Sequence, residues 1–182
     1  VRAVDVPRVR HSSPDDRRGL RHAINIASVG LSGSVVRAFL PGRASYPLGR
    51  ATHAPRLRYL QAILRAVVTD APFRVRFTLD GTPLPLARSR LVAIANGPTF
   101  AAGLPIAAAA TPHDGRFDAT VLHGVSVPSL LRYAPQLYRG THRSLGGVDT
   151  YRGRCLSLSL LDACQSVWGG RTASTWAGLP CL

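Results

Sequence analysis

A chain of 182 residues with 46% hydrophobic content is long enough for one domain with a real core, and one domain is the default expectation. Its 23 basic residues against 9 acidic ones give a formal net charge of +14, and every base is Arg and every acid Asp. Cys155, Cys164 and Cys181 form no CxxC pair and the six histidines form no HxxxH or HExxH pattern, which argues against a zinc centre.

In chain order, Ala3 to Val9 reads as a short strand, and His11 to Gly19, rich in Ser, Pro, Asp and Arg, as an exposed turn. Leu20 to Ser28 alternates well enough for a second strand. Gly30 to Leu40 reads as a helix that starts where that strand ends, with Val35, Val36, Phe39 and Leu40 on one side and a stop at Pro41-Gly42. The strand-to-helix junction presents backbone N–H groups that can hold a phosphate or a polar headgroup, or serve only as a turn. Pro55 to Val68 is amphipathic, with Leu57, Leu60, Ile63, Leu64 and Val67 at helical spacing and Arg56, Arg58 and Arg65 for its wet face.

Phe73 to Leu79 alternates strongly, with Arg74, Arg76 and Thr78 between apolar residues, and closes on Asp80-Gly81. Leu91-Val-Ala-Ile-Ala-Asn96-Gly97 ends an apolar run in a backbone that can take positive φ. After a further apolar stretch, His113-Asp114-Gly115-Arg116 opens another strand with Phe117, Ala119 and Val121 alternating. Ser126 to Arg139 reads as a helix with Pro128 in its first turn, Gly140 past its end and a weak point at Pro135. Cys155 to Leu161 is an apparent last strand. Beyond it the alternation is lost, and both Trp residues and two of the three Cys appear.

The apolar run from Ala101 to Ala110 is broken by Pro105 and is too short for a membrane span, and the N-terminus lacks the order of a signal peptide. A cytoplasmic chain is therefore expected, peripheral at a membrane if it touches one, with three free thiols in a reducing compartment. The Arg excess has two readings: GC-rich codon usage, or an anionic partner approached in a salt-dependent way. An acidic membrane surface fits that partner better than nucleic acid, because the arginines are scattered and no aromatic residues alternate with Gly as a base-stacking platform. Val1 in place of Met is what a fragment or an alternative start codon would give.

Ile24-Asn25-Ile-Ala-Ser28-Val-Gly30, then Asn96-Gly97, then His113-Asp114-Gly115-Arg116-Phe117-Asp118 follow one another in the order of the "N.AS.G", "ANG" and "DDG.LD" segments of a known family. The opening Val1-Arg-Ala-Val4-Asp5-Val6 is similar to its "R.VDLG" strand, and Leu130-Leu-Arg-Tyr-Ala-Pro-Gln-Leu-Tyr-Arg139-Gly140 to its "LLRLLPRLFRG" helix. Over residues 1 to 160 the chain resembles the C-terminal domain of the diacylglycerol kinase and sphingosine kinase superfamily of lipid kinases. The resemblance implies an α+β fold, a β-sandwich-like domain with a few peripheral helices, and leaves 161 to 182 as an atypical or degenerate segment.

What the family does is transfer the ATP γ-phosphoryl group to a lipid hydroxyl, which needs a nucleotide site with metal, an in-line hydroxyl and a base. By resemblance, a lipid such as diacylglycerol would lie near Asn25, Ser28, Gly30, Asn96 and Gly97. Mg²⁺ would be held by the Asp114 carboxylate and the carbonyls of Thr111 and Arg116, oxygen ligands that suit a hard cation; on the residues alone, Asp114-Gly115 can equally be a plain turn. The family's Gly-Gly-Asp-Gly-Thr nucleotide loop is not in this sequence, so ATP is expected only with a nucleotide-binding half that could be separately encoded. The Asp-Gly-Glu segment, whose Asp is the expected base, cannot occur in a chain without Glu; Asp162 lacks the following turn, and no catalytic residue is assigned. A reading-frame shift near Leu161 or a degenerate terminal strand would account for this. The expectation is thus an incomplete lipid kinase domain, inactive alone. The alternatives are a non-catalytic lipid- or partner-binding module and, more distantly, an Arg-rich nucleic-acid binder.

Overall fold

In the computed structural model the described residues are 3–12, 18–39, 55–99, 103, 105–124, 126, 128–129, 132 and 147–161. They form ten strands and two helices: β1 Arg8–Ser12, β2 Arg18–His22, β3 Ile26–Gly30, α1 Leu31–Phe39, α2 Pro55–Thr69, β4 Phe73–Leu79, β5 Thr82–Pro83, β6 Ala87–Ser89, β7 Leu91–Ala95, β8 Phe117–Leu122, β9 Val148–Gly153 and β10 Leu156–Leu160.

One sheet has the order β3-β7-β8-β9; in the other, β4 pairs with β10 along one edge and with β5 and β6 along the other. All of these pairings are antiparallel. The alternation of β4 explains how the layers meet. Phe73, Val75 and Phe77 are buried with Leu156, Leu158 and Leu160 of β10 against Val29, Val92, Phe117, Ala119 and Val121 of the first sheet, while Arg74 and Arg76 face water. The expected sandwich is there. β7 is covered on both sides, since Leu91, Ala93 and Ala95 pack against Ile106, Ala107 and Ala110 on its other face. That double burial is why its sequence is a continuous apolar run. The helices α1 and α2 pack on each other through Leu31, Val35, Tyr59, Ala62, Ala66 and Val67. Among the described residues no helix is long and apolar enough to cross a membrane.

Several expected boundaries move. The first strand starts at Arg8 rather than Ala3, because Pro7 has no N–H to give a ladder; β1 and β2 then extend into the expected turn, pairing from Arg8↔His22 to Ser12↔Arg18. The single strand expected from Leu20 to Ser28 is two, broken at Ile24 and Asn25, whose carbonyls are taken by Asn96 and Gly97 instead of a neighbouring strand. Cys155 takes part in a disulfide, which corrects the expectation of three free thiols. The expected Ser126 to Arg139 helix falls almost wholly outside the described residues, as does the segment after Leu161.

Candidate functional site

Asn25 and Asn96 meet where β3 and β7 end together. The Asn25 carbonyl accepts from the backbone N–H of Asn96 (2.7 Å) and of Gly97 (3.3 Å), and its side-chain amide donates to the Thr99 carbonyl at 3.0 Å. Asn96 is 2% exposed and donates through Nδ2 to the carbonyls of Asp5 (2.7 Å) and Ile24 (2.9 Å), tying the N-terminal segment to the sheet. Gly97 lies so close that a Cβ there would stand 2.5 Å from Asn25 Oδ1. A residue with any side chain would push that amide out of place.

Beside these amides a small recess of about 20 Å³, room for about one water molecule, enters the sandwich between the two sheets. Val9, Ala27, Ile94, Phe117 and Leu156 give it apolar walls, Pro7 and Ala23 close one side, and Arg8, Asn25 and Asn96 are its polar members. Its lining, apolar with a few convergent polar groups, is of the kind found in small-molecule sites, but its volume is far below theirs.

The remaining expected residues are distributed by the pleat. Ala27 and Val29 face the sandwich and the recess, so Ser28, paired with Ala93, faces the opposite side of the sheet. Gly30 is at the far end of β3, about 16 Å from Asn25 at strand rise. Its φ of 96° and the 2.3 Å that a Cβ would leave to the Arg90 carbonyl make it the hinge on which α1 departs. The Leu31 N–H donates to that same carbonyl at 2.9 Å. Of the five, Asn25, Asn96 and Gly97 share one place; Ser28 and Gly30 lie outside it.

Asp114 sits in a second place, the turn into β8. Its Oδ1 accepts from the Arg116 N–H at 2.9 Å, and its Oδ2 is ion-paired with Arg152 of β9. Asp5 reaches the same turn: its Oδ2 accepts from the Gly115 N–H at 2.7 Å and its N–H donates to the Pro112 carbonyl at 2.9 Å. Among the described residues no three His, Cys, Asp or Glu side chains gather as metal ligands. The expected set is of another kind, one carboxylate with the Thr111 and Arg116 carbonyls, and a divalent cation there would compete with the Arg152 guanidinium for Asp114 Oδ2.

Three residues that were not among the expected site residues organise this end and its opposite. Asp5 links the Asp114 turn to Asn96, Arg152 neutralises Asp114, and Arg90 donates through one guanidinium nitrogen to the carbonyls of Val67 (2.9 Å) and Asp70 (2.6 Å), capping the end of α2. Only Asp5 carried a signal, as part of the opening strand motif; an isolated Arg between two strands carries none. Along the outer strand of the sheet, the Tyr151 hydroxyl is pushed above its ordinary pKa by burial first and by the neighbouring Asp149 second.

Residues 40–172 match the family described as the YegS C-terminal NAD kinase beta sandwich-like domain. The chain is 33% identical to the diacylglycerol kinase of Mycobacterium tuberculosis (strain ATCC 25618 / H37Rv) over 99 residues, which are 54% of this chain and 32% of that protein. Its fold is similar to that of a diacylglycerol kinase from Bacillus anthracis str. Sterne, with a TM-score of 0.53 at 15% identity over 97% of this chain and 50% of the other. A further crystal structure from the same organism gives 0.57 at 16% identity over 98% and 53%. The chain thus spans about half the length of those structures, and the match covers about a third of the curated relative.

Proposed function

The chain belongs to the family of YegS C-terminal NAD kinase beta sandwich-like domains, and from that premise we propose that it is the lipid-holding domain of a diacylglycerol kinase-like enzyme. The observation that carries this reading is the family match over residues 40–172, with the small apolar recess beside Asn25 and Asn96 as the place where a lipid chain would begin to enter. The tip of an acyl chain of a diacylglycerol would enter at the recess lined by Val9, Ala27, Ile94, Phe117 and Leu156, which must widen to take more than a small group. The glycerol end stays at the mouth, near the side chains of Asn25 and Arg8. Gly97 keeps the Asn25 amide in place, and Ser28 and Gly30 act through the fold.

ATP, when bound by a nucleotide-binding domain in the same or a separate polypeptide, supplies the phosphoryl group. The residues here do the complementary work: they hold the lipid, exclude water from its acyl part and orient its hydroxyl toward that domain. Beside Asp114, the Arg152 guanidinium supplies a positive charge.

Calorimetric titration of the chain with dioctanoylglycerol tests this. Saturable binding is expected, and Ala27→Phe, which fills the recess, should abolish it; no saturation, or saturation unchanged in the variant, would sink the reading. The absence of Asp-Gly-Glu favours a second reading, a non-catalytic lipid- or partner-binding module. Mixing the chain with a Gly-Gly-Asp-Gly-Thr nucleotide-binding domain, ATP and Mg²⁺ separates the two, because only the first yields a phosphorylated lipid.

A further inference from the structure

The alternation of β4 gives the second sheet two unlike faces. One buries Phe73, Val75 and Phe77 in the sandwich; the other turns Arg74, Arg76 and Thr78 outward. The neighbouring strands continue that outward face. In β6, Arg88 stands directly opposite Arg74; in β10, Ser159 stands opposite Arg76 and Ser157 opposite Thr78. The three arginines are exposed and the three hydroxyl residues half-buried. Arginines that are scattered along the chain are thus gathered on one surface by the pleat and the register.

All six of these side chains carry hydrogen-bond donors, and none is an acid. Asp80, at the end of β4, has its carboxylate taken by the N–H groups of Arg154 (2.9 Å) and Cys155 (2.7 Å). Arg74 is engaged within the chain as well, while among the described residues no acid pairs with Arg76 or Arg88. Like charges directly opposite on a sheet, as in Arg74 and Arg88, repel each other. An anion laid across them relieves that repulsion. Strand geometry spaces the Cα atoms of Arg74 and Arg76 by about 7 Å and sets Arg88 about 5 Å to the side, so the anion that fits has several charges in an extended array.

The make-up of the face selects among such anions. Exposed Leu86 and Leu161 flank it, one before β6 and one after β10, on opposite edges of β4. They do not join into the apolar patch that a bilayer boundary or the centre of a protein interface needs, and no aromatic residue of β4 faces outward to anchor a protein or stack on a single-stranded base. A second copy of the chain, with the same positive face, is repelled. What guanidinium and hydroxyl groups alone do hold is a row of phosphates. We propose that the outward face of the second sheet binds the phosphate backbone of a nucleic-acid duplex without reading its sequence. Because the recess opens on the inner side of this sheet, at Leu156, duplex binding is independent of the lipid-holding reading.

Fluorescence anisotropy with short labelled DNA duplexes of two unrelated sequences, over a range of salt, tests it. The parent chain is expected to bind both alike and to lose affinity steadily as salt rises. Arg76→Ser and Arg88→Ser should each lower the slope of log K against log salt by about one, while Arg10→Ser, an equal change of charge on β1, leaves the slope where it was. A parent chain that binds neither duplex would overturn the proposal, as would slopes unchanged in the Arg76 and Arg88 variants. An Arg10→Ser slope that falls as far as theirs would do the same, since net charge alone would then explain the binding. Binding of poly-glutamate that depends on Arg76 and Arg88, with no binding of DNA, would overturn it in favour of an acidic protein. Arg76→Gln and Arg88→Gln, which keep more of the side chain, take the place of any serine variant that melts below the parent.

Discussion

The two ends of β3 carry residues of one short motif and do different work. At the Asn25 end the backbone stops pairing, two amides cross-link three segments, and a recess opens beside them. At the Gly30 end everything is closed: the glycine lies against the Arg90 carbonyl and the Phe73 ring, the helix starts from it, and Arg90 ties the end of α2 to the same turn. A linear motif is therefore part site and part scaffold, and the pleat decides which residue is which.

Substitutions at the two ends should separate these roles. Gly30→Ala gives the largest effect. It puts a Cβ 2.3 Å from a carbonyl oxygen and 2.5 Å from a ring carbon at a φ of 96°. Strain and overpacking together cost on the order of 3 to 5 kcal/mol, a large part of a domain's whole stability. Calorimetry should show a melting temperature lower by roughly 10 °C or more; a change of a few degrees would mean that the helix junction is looser than its geometry. Arg90→Met comes next. It leaves the Val67 and Asp70 carbonyls without their charged donor, at about 1.5 to 3 kcal/mol, and should do so without moving lipid affinity.

Legibility follows the same division. The alternation in Phe73 to Leu79 and the doubly buried run Leu91 to Ala95 were readable because period and burial coincide there. The helix Pro55–Thr69 was readable from its apolar stripe. The break at Asn25 was not, since a strand that stops to give its carbonyls to Asn96 and Gly97 looks the same in sequence as one that continues. Nor was β9, a strand of intermediate and exposed residues except for Gly153, in which Asp149 and Arg152 mask any alternation. The motifs singled out Asn25 and Asn96, which stand together at one end of the sheet, and Asp114, which stands in the turn into β8. They could not say that Ser28 turns away from the recess or that Arg152 reaches Asp114, because both facts depend on sheet register.

At the open end, Gly97→Ala is the counterpart of Gly30→Ala. Its Cβ meets a side-chain oxygen, Asn25 Oδ1 at 2.5 Å, and not a carbonyl locked in a strand. The amide can swing away, so the stability cost should be about 1 kcal/mol. The binding cost should be larger, because the displaced amide stands at the recess. A Gly97→Ala chain that melts much lower yet binds dioctanoylglycerol normally would erase the contrast between the ends.

The smallest effect belongs to the Asp114 turn. Arg152 is 42% exposed and Asp114 26%, so their pairing contributes less than about 1 kcal/mol, and Arg152→Ala should barely change stability in plain buffer. What it should change is the response to Mg²⁺. With the guanidinium in place, a cation must compete for the Asp114 Oδ2; with Ala there, that oxygen faces solvent beside the carbonyls of the turn, and a bound ion adds stability as RT ln(1 + [L]/Kd). Melting the two chains with and without millimolar Mg²⁺ should therefore leave the parent where it was and raise only Arg152→Ala. Equal stabilisation of both would mean that Arg152 does not hold the place of a cation, and the turn would have to be read again as a metal site of the kind its Asp-Gly motif suggests.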